Sequence, residues 1–213
     1  MKITSLIHEQ ITLSKRVKIS GIQRRVNYIA GVDVALRHNH LFGCICVFSF
    51  PKLALVDYSC AKKTDALPYI PGLLSYREVP VIMKAFKKLK KIPHLILVDG
   101  QGIAHPRYIG FASHLGVLLN IPTIGCAKSH LFGDYHMPGT TKGSYTLLAS
   151  GRKKLGVVLR TRDNTRPLFV SPGHLVNVND CRRYVLSAIE KYRIPEPIRC
   201  AHKMAGEKAR QYG

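Results

Sequence analysis

The chain has 213 residues, 46% of them hydrophobic, enough to bury a full core as one domain spanning 1–213. Its 33 Lys and Arg against 12 Asp and Glu give a formal net charge of +21, which a polyanionic partner explains better than solubility does. The first twenty residues lack the pattern of an export signal and no apolar stretch approaches membrane-spanning length, so the expectation is a monomer in the cytoplasm with no membrane partner.

Residues 27–62 read as three consecutive strands, NYIAGVDVAL, LFGCICVFSF and LALVDYSCA. The polar Arg37-His38-Asn39-His40 turn and Pro51-Lys52 separate them, and connections this short make the strands antiparallel neighbours. Pro68-Tyr69-Ile70-Pro71-Gly72 is a rigid turn, because each proline fixes its own torsion and restricts the residue before it. A helix should follow. Ser75 and Glu78 have capping-box spacing, and Val79, Ile82, Met83, Phe86 and Leu89 recur at helical spacing with lysines largely opposite.

The run HLILVDG ends in Asp99-Gly100; a helix is expected from Tyr108 to Leu119, then a second apolar run, IPTIGCA. Strand, helix, strand implies a parallel crossover. Beyond Lys128 come SYTLLAS, KLGVVLRT and PLFVSPGH, and a last helix near Asn179 to Tyr192. The fold class is therefore α/β, a mixed sheet with antiparallel first strands and helices on both faces. The six cysteines show neither a Cys-x-x-Cys pair nor zinc-site spacing; Cys44 and Cys46, two apart in a strand, share a face and read as buried thiols in a reducing compartment.

Asp33 and Asp99 lie inside or at the end of the most apolar runs, without a Lys or Arg within three residues on the same strand. A desolvated carboxylate persists there only if it pairs with a cation, accepts several hydrogen bonds or ligates a metal. For either aspartate alone, pairing with a distant Arg is an equal reading. Two of them on strands that could be neighbours point to a hard divalent cation such as Mg2+, with Mn2+ able to substitute, which polarises a phosphate and acidifies its bound water. Such a cation also lets acidic groups meet a nucleic-acid backbone in so basic a protein.

Other candidates carry competing structural readings. Glu78 could reach a metal-bound water, or merely close the capping box. His174, after the PLFV run, could orient or deprotonate an attacking water, although ten histidines make any one weak support. Lys128 could neutralise a transition-state phosphate, or be an ordinary solvated lysine. Tyr69, held stiffly between prolines, suits wedging into a base stack, or packs on its own turn. Gly100-Gln101-Gly102 lacks the third glycine of a dinucleotide fingerprint and no Walker-type Gly-Lys-Ser/Thr occurs, so neither site is read here.

These segments together, from about Tyr28 to His202, resemble the endonuclease V family of deoxyinosine-directed repair nucleases. The resemblance rests on Gly31-Val32-Asp33, on the run from Pro68 to Glu78, and on Val98 to Arg107. Ile121 to Lys128, Ser171 to His174 and Arg193 to His202 complete it in order. It implies a ribonuclease H-like fold with Mg2+ at Asp33 and Asp99, Glu78 and His174 close by, and Lys128 near the scissile phosphate. It further implies Tyr69 as wedge and Gly72, Leu74, Gly102 and His105 lining a base pocket. The implied reaction is hydrolysis of the second phosphodiester bond 3′ to inosine or deoxyinosine, leaving 3′-hydroxyl and 5′-phosphate ends, in DNA or in inosine-containing RNA. A non-catalytic basic nucleic-acid-binding protein and another ribonuclease H-like nuclease are the competing readings.

Overall fold

The computed structural model describes residues 3–64, 68 and 70–212, so the expected wedge Tyr69 lies outside the described residues. The described elements begin with helix α1 (Ile3–Ser14) and strands β1 (Tyr28–Arg37), β2 (His40–Ser49) and β3 (Leu55–Thr64). Helix α2 (Leu74–Phe86), β4 (Leu95–Val98), α3 (Phe111–Leu119) and β5 (Thr123–Ala127) follow. Then come β6 (Tyr145–Ser150), β7 (Lys153–Leu159), β8 (Leu168–His174), α4 (Val178–Ser187) and α5 (Glu196–Arg210). No helix among the described residues is long and apolar enough to cross a membrane.

The strands form one mixed sheet in the order β3-β2-β1-β4-β5-β8-β7-β6. The β1–β2 and β2–β3 pairs are antiparallel, as their short connections require, and β1, β4 and β5 run parallel. Strand alternation divides the side chains between two cores. Ala30, Val32, Ile96 and Val98 pack under α2 and α3 with Val79, Ile82, Phe111 and Leu115. Ile29, Leu95, Leu97 and Cys126 face α4 and α5, where Cys181, Val185, Ile198 and Ala201 close the second core. Asp33 and Asp99 share the parity of the second set, so both carboxylates emerge on the α5 side.

Three expectations need correction. The helix expected last, near Asn179 to Tyr192, is α4 and ends at Ser187; α5 follows it, and α1 precedes β1, neither of them expected. α2 starts at Leu74 with Leu73 as N-cap and no side-chain cap, so Ser75 sits within the helix rather than at its cap. Its Oγ meets Nδ1 of His114 on α3 at 3.0 Å, which removes the capping-box explanation for Glu78. Finally, Cys44 is not a free thiol. It faces Cys60 across the β2–β3 ladder at a Cα separation of 4.2 Å and is disulfide-bonded to it, whereas Cys46 is a free, buried thiol.

Candidate active site

Adjacent parallel strands bring the two aspartates together. Val32 pairs with Val98, and the Asp99 N–H donates to the Val32 carbonyl at 3.3 Å, so the residues that follow on β1 and β4 are neighbours. The third member comes from α5. A Cβ on Gly31 would lie 2.0 Å from the Pro197 carbonyl carbon, so the absence of a side chain there lets the start of α5 lie directly on β1. One further turn along, His202 places Nδ1 2.5 Å from Oδ2 of Asp33.

One ligand atom from each of Asp33, Asp99 and His202 lies within 4.8 Å of the others. Metal–oxygen distances of about 2.1 Å put opposite ligands of a magnesium ion roughly 4.2 Å apart, so the two carboxylates fit a shared hard cation with little movement. A hard cation prefers oxygen, which leaves the imidazole of His202 to hold Asp33 or a metal-bound water. Burial, then the charge of Asp99, pushes the Asp33 carboxyl above the usual carboxylate range, opposed by the His202 hydrogen bond. Two repelling, half-desolvated carboxylates are what a divalent cation relieves.

Lys128, immediately after β5, bonds its Nζ to Oδ2 of Asp99. Gln101 Nε2 donates to the Ser129 carbonyl at 3.0 Å, tying the loop after β4 to the one that carries Lys128. Glu78 is half-buried on α2 and stands outside the three-residue cluster.

His174 is not brought to this site. It pairs with Thr123 at the start of β5, whereas Asp99, following the Val98–Gly125 pair, is level with Cys126. Three residues along the strand and two strands across are each roughly 10 Å. His174 is buried and accepts the Lys18 N–H on Nδ1 at 3.2 Å, so it fastens the α1–β1 connection to the sheet. The histidine that does reach the carboxylates, His202, stands in the Arg193 to His202 block noted in the sequence, but its role was missed because α5 was not recognised.

Gly72, Leu74 and His105 line one cavity of about 90 Å³ together with Ser75, Gln101 and Phe111. That is far below the roughly 300–1,000 Å³ of sites for whole small molecules, and suits a single planar ring system. Gly72 adopts φ +77°, a conformation L side chains avoid. Its carbonyl accepts from Gln10 Nε2 at 3.0 Å, Arg107 Nη2 at 2.8 Å and His105 Nε2 at 3.2 Å. His105 Nδ1 accepts the Arg107 N–H at 3.1 Å, so its proton is on Nε2. Burial and Arg107 push its pKa down to about 4, in keeping with this neutral form. Gly102 is not among the lining residues; its N–H donates to Ser171 Oγ at 2.8 Å and its carbonyl accepts from Gly110, so it builds the cavity wall from behind.

Residues 11–203 match the family model for Endonuclease V. Endonuclease V of Rippkaea orientalis is 48% identical over 201 residues, covering 93% of this chain and 88% of the relative. The crystal structure of endonuclease V from Streptomyces avermitilis superposes with a TM-score of 0.93 at 35% identity, covering 99% of this chain and 94% of that one. Ciona intestinalis endonuclease V, crystallised in complex with a 23mer DNA containing an inosine followed by a ribo-adenosine, gives 0.87 at 26% identity, covering 99% and 98%. The shared fold is the ribonuclease H-like one expected from the sequence.

Proposed function

The chain belongs to the endonuclease V family, enzymes that act on phosphodiester bonds, and on that footing we propose that it cuts the second phosphodiester bond 3′ to inosine or deoxyinosine. The products carry a 3′-hydroxyl and a 5′-phosphate, and deaminated adenine in DNA is the substrate. The observation that carries this reading is the convergence of Asp33, Asp99 and His202 at one end of parallel strands, beside Lys128. Asp33 and Asp99 would hold Mg2+, or Mn2+ in its place, which when bound polarises the phosphate and lowers the pKa of a coordinated water.

The chain's own residues divide the remaining work. His202, bonded to Asp33 and two-thirds exposed, is placed to orient the attacking water and take its proton. Lys128 can leave Asp99 for the non-bridging phosphate oxygen as charge develops there. Glu78, near the start of α2, is assigned a supporting position toward the same water. Gly72, Leu74 and His105 receive the extruded base, with the His105 ring neutral and the Gly102 backbone bracing the wall. Tyr69 fills the gap the base leaves. We assign the whole of 1–213 to this single domain, acting as a cytoplasmic monomer, with the +21 charge tracking the phosphate backbone.

The test is a side-by-side cleavage assay of end-labelled strands with one inosine or one adenosine, in RNA, single-stranded DNA and duplex DNA. Inosine-dependent incision one nucleotide beyond the 3′-neighbouring bond is the expected product; equal cutting of the adenosine strands would refute the assignment. Preference for the RNA strand would redirect it to inosine-directed endoribonuclease activity, and binding without incision in any strand would leave a non-catalytic binder.

A further inference from the structure

On the α5 side of the sheet, β2 and α5 bring three sulfur atoms together beside the carboxylates. Cys46 is fully buried in β2, and its Sγ lies 3.4 Å from Sδ of Met204. Cys200 packs on the same core as Cys46 and, four residues before Met204, presents its side chain from the same face of α5, with its thiol against that of Cys46. Cys200 and Met204 are both half-buried, so the cluster is closed below by the core and reachable from above. The cluster is distinct from the Cys44–Cys60 disulfide and from the buried thiols of Cys126 and Cys181.

We propose that Cys46, Cys200 and Met204 form a site for one soft, low-coordinate monovalent metal ion, copper(I) being the ion these ligands select. Thiolate and thioether sulfurs favour copper(I) over the hard divalent cations that suit carboxylates, so this site and the Asp33–Asp99 pair discriminate opposite classes of metal. Trigonal coordination at metal–sulfur distances of about 2.3 Å separates the sulfurs by about 4 Å, so the 3.4 Å Cys46–Met204 gap needs to open by only about half an ångström. Loading exchanges the two thiol protons for one cation, releases both protons to solvent and changes no oxidation state. The resulting complex carries one negative charge; Arg199, paired with Glu196, and Lys203, 3.9 Å from Glu207, are its nearest cations along α5. Because Cys200 and Met204 bracket His202 in sequence, an ion there would also fix the helical turn that carries this histidine.

The test titrates the full chain anaerobically with copper(I) against the chromophoric chelator bathocuproine disulfonate, with ascorbate as reductant. The folded protein should withdraw one copper per chain. Cys200→Ser should abolish the withdrawal, and Met204→Leu should weaken it by roughly tenfold or more. The double variant Cys44→Ala/Cys60→Ala should retain it, and X-ray absorption should show sulfur coordination only. Both single positions are half-buried and their replacements similar in size, so circular dichroism melts can verify that each variant folds. Failure of the folded wild type to withdraw copper, withdrawal unchanged in both single variants, or its loss in the double variant would overturn the assignment.

Discussion

Lys128 and Asp99 are joined across the ends of two parallel strands, the ammonium bonded to a carboxylate oxygen that a divalent cation would also claim. The lysine side chain is 42% exposed and the aspartate 14%, so the cation is the mobile partner. Lys128→Ala should therefore act in two opposite directions. Turnover should fall by about 10²–10³ through lost stabilisation of developing charge. Divalent-metal affinity should rise, because Asp99 loses a competing cation. Single-turnover rates and a magnesium titration of the same variant check both; weaker metal binding would count against the shared role of Asp99.

His202 and His174 should separate cleanly. The His202 side chain is 67% exposed, so His202→Ala should abolish incision while leaving the thermal midpoint nearly unchanged. His174→Ala removes a buried acceptor from the Lys18 N–H and should cost about 1–3 kcal/mol of stability. Below its unfolding temperature it should still cut. Paired melts and cleavage rates decide this, and the reverse pattern would return the catalytic role to His174.

Gln10 is the buried latch of the base cavity. It is 1% exposed, donates to the carbonyls of Gly72 and Ile109 and accepts from Arg107 Nε. Gln10→Ala leaves Arg107 Nε and the Ile109 carbonyl without this partner, which should destabilise the fold by about 1–3 kcal/mol. Because the same contacts hold the φ +77° turn at Gly72, discrimination of inosine from adenosine should drop as well. Unchanged discrimination in a folded variant would detach α1 from the pocket.

Two buried histidines make stability fall in mild acid. Burial pushes His114 down to about 4, and His105 reaches about 4 through burial and Arg107. An unfolded histidine titrates near 6.5, so between roughly pH 6.5 and 4 the unfolded chain binds more protons and stability rises with pH. The contribution is complete above about 6.5, is lost as pH falls through that window and is flat below about 4, on the order of 3 kcal/mol for each group. Urea midpoints at pH 7, 5.5 and 4.5 should drop for the wild type and drop less for His114→Gln. Parallel curves for the two proteins would remove His114 from this account.

The carboxylates were legible in the sequence because each is a polar interruption of an apolar strand, and strand alternation then fixes the face on which they emerge. The three hairpin-linked strands and the crossover were legible for the same reason, as local periodicity and short connections carry them. α5 was not, because its buried face is Ile198, Ala201, Ala205 and Ala209, mostly too small to stand out as an apolar stripe. Its end signals were present, Glu196 and Pro197 at the start and Lys208 and Arg210 at the end. α1 was masked by Gln10, a polar residue on its buried face, whose reason lies some hundred residues away at Ile109. The Cys44–Cys60 bond depends on strand register, and the Ser75–His114 contact on how α2 meets α3; neither is a local property.

The most direct measurement is magnesium-dependent incision of an inosine-containing strand by the wild type, Asp33→Asn and Asp99→Asn, with calorimetric magnesium binding on the same samples. Each variant removes one metal-facing charge with almost no change of shape. Loss of both incision and magnesium binding in each folded variant, while the nucleic acid is still bound, is the predicted result. Incision that survives in either variant, or that persists for the wild type in a chelator, would contradict a metal shared by the two aspartates.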